Sequence, residues 1–187
     1  MPPRGRELWL ALVACVCIAA LYVTVTARTH EIPPASELFG HTLGIVGFVM
    51  MIMTETLYSL RKRSRLARWG RMASWLQFHI FTGIVGPFMV LLHSSWKFNG
   101  LAGAVTLLTV VIVFSGFVGR YIYTRIPRSL DGNELETSLS EAQKVAIGNA
   151  RRLLALWHTI HIPIGMALFT AAFIHVAAAL YYATLLH

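Results

Sequence analysis

The chain has 187 residues, of which 56% are hydrophobic and 13% charged, with a mean hydropathy of +0.63. Soluble domains carry about 25% charged residues, so this composition excludes an ordinary soluble domain and points to a membrane. The net charge of +8 raises nucleic acid as a partner, but the cations lie almost wholly in gaps between apolar runs, as in membrane loops, and that reading is set aside.

Five runs are long enough to cross the roughly 30 Å of bilayer hydrocarbon. The first, 8–26, follows Pro2-Pro3 and holds both cysteines, Cys15 and Cys17. Without a Cys-x-x-Cys-His, covalent c-type haem attachment is excluded. The stretch Leu12-Val13-Ala14-Cys15 resembles a bacterial lipoprotein cleavage box, yet the apolar run continues to Val25, which favours an uncleaved transmembrane helix. The second run, 39–60, follows Pro33-Pro34, opens with Gly40, Gly44 and Gly47, and contains Glu55, the one acid inside a span. The third, 73–96, carries His79 and His93. The fourth, 101–123, carries Gly103, Gly116 and Gly119, with Gly100 just before it. The fifth, 153–186, carries His158, His161 and His175 and is too long for one span without extending beyond the bilayer.

Between the last two runs, 124–152 is the one sizeable polar segment and reads as a cytoplasmic loop. Within it, 140–147 suits a short amphipathic surface helix capped by Ser138 or Ser140. The loop reads equally as a docking surface for a cytoplasmic partner and as a solvated connector. Neither a nucleotide fingerprint nor an iron–sulfur cysteine cluster occurs in the chain.

Charge decides the orientation. With the N-terminus inside, fourteen of the sixteen Lys and Arg residues fall on cytoplasmic segments, and only Arg28 and Lys97 fall outside. The positive-inside rule therefore gives a cytoplasmic N-terminus and an outer C-terminus, in what reads as a bacterial cytoplasmic membrane. The third and fifth spans then run parallel.

Those two spans share an interval. His79 and His93 are fourteen positions apart, and so are His161 and His175. At about 100° per residue, the second histidine of each pair lies about 40° from the first, on one helix face and about 21 Å along the axis. Two parallel helices of this kind present His79 level with His161 on the inner half and His93 level with His175 on the outer half. Neutral imidazole is an axial ligand of haem iron, so the expectation is two stacked b-type haems, each held by one histidine from each helix. Ionisable residues inside a span mark function by default, and four at one interval are hard to assign to chance. Gly83 and Gly165 each follow the first histidine by one turn and offer the missing side chain that a porphyrin face needs; the same glycines would also serve close helix packing. Arg120 is the best candidate for a haem propionate, ahead of Arg71 and Arg152 inside and of Lys97 and Asn99 outside. Glu55 and His158 are candidates for a quinone or proton site. His30, His41 and His187 gather outside, and metal binding there is the weaker reading.

With these residues in hand, the chain resembles the membrane-embedded di-haem cytochromes b. The resemblance rests on the pairs His79/His93 and His161/His175, with Gly83, Gly86, Gly103 and Gly116 around them, and covers roughly the second through fifth spans. It implies an all-α membrane protein of five transmembrane helices, the last four forming a four-helix bundle around two haems b, in a single domain of residues 1–187. In the respiratory type, the resemblance implies electron exchange with quinone and a peripheral redox subunit, whether flavoprotein, iron–sulfur protein or cytochrome. In the ferric reductase and NADPH oxidase type, ligands also lie on the third and fifth spans with the N-terminus inside. This chain departs from both: flavin and nicotinamide domains are not expected beside the spans, and the 187 residues hold no Pro-Glu-Trp-Tyr run of the bc-type quinone site.

The expectation is therefore a di-haem cytochrome b serving as the electron-transfer membrane subunit of an oxidoreductase complex, in contact with membrane lipid. The alternatives are a ferric-reductase-type transmembrane reductase fed by a separate flavoprotein, and a non-redox membrane scaffold or metal transporter.

Overall fold

Five apolar runs become five helices in the computed structural model, which describes residues 5–63, 70–127 and 140–185, without the side chains of 58, 62, 63 and 183–185. They are α1 (Arg6–Thr29), α2 (Leu38–Arg63), α3 (Met72–His93), α4 (Gly100–Tyr123) and α5 (Glu141–Leu185). All five are long and apolar enough to cross a membrane. Much of their apolar surface faces outward, including Trp9, Val23, Leu107 and Phe114. In hydrocarbon that outward face needs no covering by protein, while each helix satisfies its own backbone polar groups. Pro87 and Pro163 sit inside α3 and α5 without ending either helix.

The chain divides into two compact units, one running to Trp96 and the other beginning at Lys97. In the first, α3 is central, with α1 and α2 both packed on it. Two stripes of α3 account for this. Val85, Met89 and Leu92 are buried with Ala11 and Tyr22 of α1 and Leu43 of α2, and Phe81, Ile84 and Phe88 pack on that cluster. The other stripe, His79, Thr82, Gly86 and His93, lies against α2. Contacts between α2 and α3 run in opposite order along the two chains, from Gly40 beside His93 to Thr54 beside His79, so the helices are antiparallel.

The third span was expected over 73–96, but α3 stops at His93. Ser95 and Trp96 take left-handed backbone angles, φ 48° and 60°, which cost non-glycine residues roughly 1–2 kcal/mol each. The buried Ser95 hydroxyl donates to the Pro33 carbonyl at 2.6 Å and holds the turn against the segment before α2.

In the second unit α4 and α5 form a helical hairpin. Ile126, Ala150 and Leu154 make its buried base, with Ile122, Ile147 and Trp157 packed around them. The expectation of a loop over 124–152 needs correction at its second half, because α5 already begins at Glu141 and runs unbroken for 45 residues. At about 1.5 Å per residue it is about 67 Å long, roughly twice the hydrocarbon thickness. The cause is visible at its first turn. Ser140 N–H donates to Gln143 Oε1 at 2.9 Å and Gln143 N–H to Ser140 Oγ at 3.3 Å, a reciprocal capping box. Lys144 pairs with Glu141 at 2.7 Å beside it. Of the two candidate caps, Ser140 is the one seen here; Ser138 lies outside the described residues, as do Asp131, Glu134 and Glu136.

Candidate functional site

In the first unit both expected ligands make the same kind of bond. His79 Nδ1 lies 3.0 Å from the Thr54 carbonyl oxygen, and His93 Nδ1 lies 2.8 Å from that of Gly40. A carbonyl oxygen only accepts, so a neutral ring bonded this way carries its proton on Nδ1 and its lone pair on Nε2. That is the tautomer a metal-binding histidine uses, and donation of the second ring nitrogen to a carbonyl is the usual support for such a ligand. The two acceptors are themselves fourteen positions apart on α2, matching the interval on α3.

The residues between the anchors make this close approach possible. Gly47 and Gly86 face each other across α2 and α3, where an added Cβ would come within 2.8 Å and 2.9 Å of the other's carbonyl oxygen. Near the outer anchor, a Cβ on Gly44 would sit 2.8 Å from the His93 ring. Near the inner anchor, Thr54 Oγ1 donates to the buried Thr82 Oγ1 at 2.7 Å, and Thr82 Oγ1 in turn bonds the Phe78 carbonyl at 2.9 Å. Gly83 faces the Thr54 methyl, 3.3 Å from an added Cβ. Gly83 and Gly86 thus both serve the α2–α3 contact.

In the second unit His161 is held differently. Its Nδ1 lies 2.9 Å from Ser115 Oγ on α4. Trp157 stacks on the His161 ring at 4.4 Å between centroids and 28° between planes. The Trp157 Nε1–H donates to the Ser115 carbonyl at 2.8 Å and reaches Ser115 Oγ at 3.1 Å. Gly119 provides the space for this indole, because any Cβ there would overlap the ring. His175 is half-buried further along α5, past the buried Leu168 and Ala172. Gly165 is buried against Ile112 of α4.

The other expected residues fall as follows. An added Cβ on Gly116 would meet nothing within 4 Å, so this position opens onto space. Gly103 instead abuts the Phe98 backbone where the chain enters α4. Arg120, partly buried, is in the last turn of α4 next to buried Gly119. His158 Nδ1 bonds the Leu154 carbonyl of its own helix at 2.8 Å, with its ring edge-on to Trp157. Glu55 is exposed on α2, while Arg61 one to two turns on donates to the Gly70 carbonyl at 3.2 Å. His187 and the side chains of Lys62, Arg63, Arg65 and Arg68 lie outside the described residues. Among the described residues no group of three or more His, Cys, Asp or Glu converges as a metal site would require, which leaves His30 and His41 without such a cluster.

Thr54, Thr82, Ser115 and Trp157 went unremarked as site residues in the sequence. For Thr54 a signal existed: Gly40, Gly44, Gly47, Met51 and Thr54 recur at alternating steps of four and three, one face of a packed helix. For Trp157 the signal was its place four residues before His161 on one helix; for Ser115, on a different helix, no spacing rule pointed to His161. Compared with known protein families, characterised proteins and solved structures, the chain matches none.

Proposed function

We propose that this chain is a membrane di-haem cytochrome b, in which His79 with His161 and His93 with His175 ligate two b-type haems in a bundle formed by α2 to α5. The observation that carries the reading is the pair of Nδ1 bonds from His79 and His93 to carbonyls of α2. Together with the interval repeated on α5, it supplies two histidines already in the ligand tautomer about 21 Å apart along one helix.

Haem, when bound, supplies a one-electron iron couple at each level. The chain's own part is to hold and orient. Thr54 and Gly40 fix two imidazoles through their carbonyls, and Ser115 with Trp157 fixes a third. The apolar helix surfaces exclude water and keep the local dielectric low, which together with ligand strength sets a potential. Gly116 leaves room for a flat ring, and Arg120 is the proposed cation for an inner propionate.

By the positive-inside rule the N-terminus is cytoplasmic, and the host is a bacterial cytoplasmic membrane. The chain would then carry electrons between a peripheral redox subunit and quinone or another acceptor, as part of an oxidoreductase complex. Glu55 and His158 are the proposed residues for quinone or proton handling. A ferric-reductase-type role, fed by a separate flavoprotein, would use the same ligands.

A second reading has its own support: the same Nδ1 bonds clamp α3 to α2, which would suffice for a non-redox scaffold. One experiment separates the two. The purified full chain, expressed with haem supplied, is expected to give a reduced-minus-oxidised b-type spectrum and two haems per chain by haemochrome assay. A folded preparation without haem would overturn the electron-transfer reading.

A further inference from the structure

The three positioned histidines differ in what faces Nδ1. For His79 and His93 it is a backbone carbonyl, a strong acceptor. For His161 it is the Ser115 hydroxyl, which can donate or accept. With Nε2 as the ligand atom, Nδ1 carries the proton and Ser115 Oγ is its acceptor, an oxygen that Trp157 Nε1–H also approaches at 3.1 Å. An oxygen already accepting one N–H is a poorer acceptor for another. The stronger the acceptor at Nδ1–H, the more electron-rich Nε2 becomes and the better it donates to a metal.

We propose that Ser115 is the positioning residue that sets the donor strength of His161, with Trp157 as its modulator. This rests on the haem reading above. His161 is then the weaker donor of the inner pair and His79 the stronger. The two roles of Trp157 separate cleanly: its ring face fixes the imidazole plane, and its N–H competes for the Ser115 oxygen. Gly119 holds the indole at the level where both are possible.

The consequence is a pair of opposite shifts. A weaker axial donor stabilises ferric iron less and raises the reduction potential; a stronger one lowers it. Ser115→Ala removes the acceptor, so the potential of one haem should rise. Trp157→Phe keeps a ring against His161 but removes the competing N–H, so Ser115 accepts from His161 alone and the same haem should fall. Ser115→Thr retains a hydroxyl and should stay at the wild-type value.

The test is a spectroelectrochemical titration of the full chain in detergent, resolving both haems in wild type and the three variants. The expected result is movement of one haem only, up in Ser115→Ala and down in Trp157→Phe. Two retained haems with neither potential moved, or with both variants shifting in one direction, would overturn the assignment. If Ser115→Ala does not fold, a downward shift in Trp157→Phe with Ser115→Thr unchanged supports the assignment, and an unmoved Trp157→Phe overturns it. A wild-type chain without haem is a different failure, because it removes the proposed function itself.

Discussion

Gly47 and Gly86 bring the backbones of α2 and α3 together midway between the two histidine anchors, so that neither position has room for a side chain. Their meeting point is seven positions from each anchor on both helices, from Gly40 and Thr54 on α2 and from His79 and His93 on α3. The result is an antiparallel pair with a close backbone approach at two residues that carry no side chain. Small residues of this kind let membrane helices gain dispersion and polar contacts in the absence of a hydrophobic drive.

Gly86→Ala should therefore destabilise the first unit. Overpacking a close contact costs about 1–3 kcal/mol. Gly148, by contrast, lies inside α5 with nothing within 4 Å of an added Cβ. Gly148→Ala should gain about 0.5–1 kcal/mol from helix propensity alone. Unfolding of both variants by denaturant in detergent checks the pair; equal effects would mean that the Gly47–Gly86 contact is not close in solution.

Under the proposed haem reading, removing an anchor should remove a cofactor. His93→Ala is expected to retain one b-type haem per chain and to leave the Gly40 carbonyl without the His93 N–H. His158→Ala, whose ring is tied to its own helix, should keep both haems. Haemochrome counts on the two purified proteins check this, and two haems in His93→Ala would exclude that residue as a ligand.

Gly119→Ala should be costly only while the indole is there. The expected loss is about 1–3 kcal/mol in the wild-type background, falling toward zero when Trp157 is already alanine. A double-mutant cycle measures this coupling, and additivity would disprove the packing of Trp157 on Gly119.

Ser140→Ala should loosen the start of α5. Loss of an N-cap hydroxyl costs about 1 kcal/mol. The readout is faster amide hydrogen exchange over 141–147 with no change over 160–180. Unchanged exchange at the first turn would show that the capping box does not hold α5 at Glu141.

Orientation is checked by labelling. With Cys15 and Cys17 replaced by serine, Lys97→Cys should react with an impermeant maleimide in intact cells. Ser140→Cys should react only after permeabilisation. The reverse pattern would invert the proposed topology.

Hydropathy along the chain was enough to read five long apolar helices, because a run's length against hydrocarbon thickness is a one-dimensional quantity. The fourteen-residue interval of the histidines was equally legible, since helical periodicity converts it into a shared face. What holds those histidines was not. The acceptors for His79 and His93 are backbone carbonyls, which every residue carries, so no residue type marks Thr54 or Gly40 as a partner. Trp157 reaches His161 as its i,i+4 neighbour on α5, but Ser115 meets both only through the packing of α4 on α5. The limits of α3 and α5 also depended on tertiary contacts and local bonds: Ser95 on Pro33 ends one at His93, and the Ser140–Gln143 box starts the other at Glu141. Spacing and composition thus determined which residues share a helix face, and only the folded chain decided which nitrogen of each ring is held, and by what.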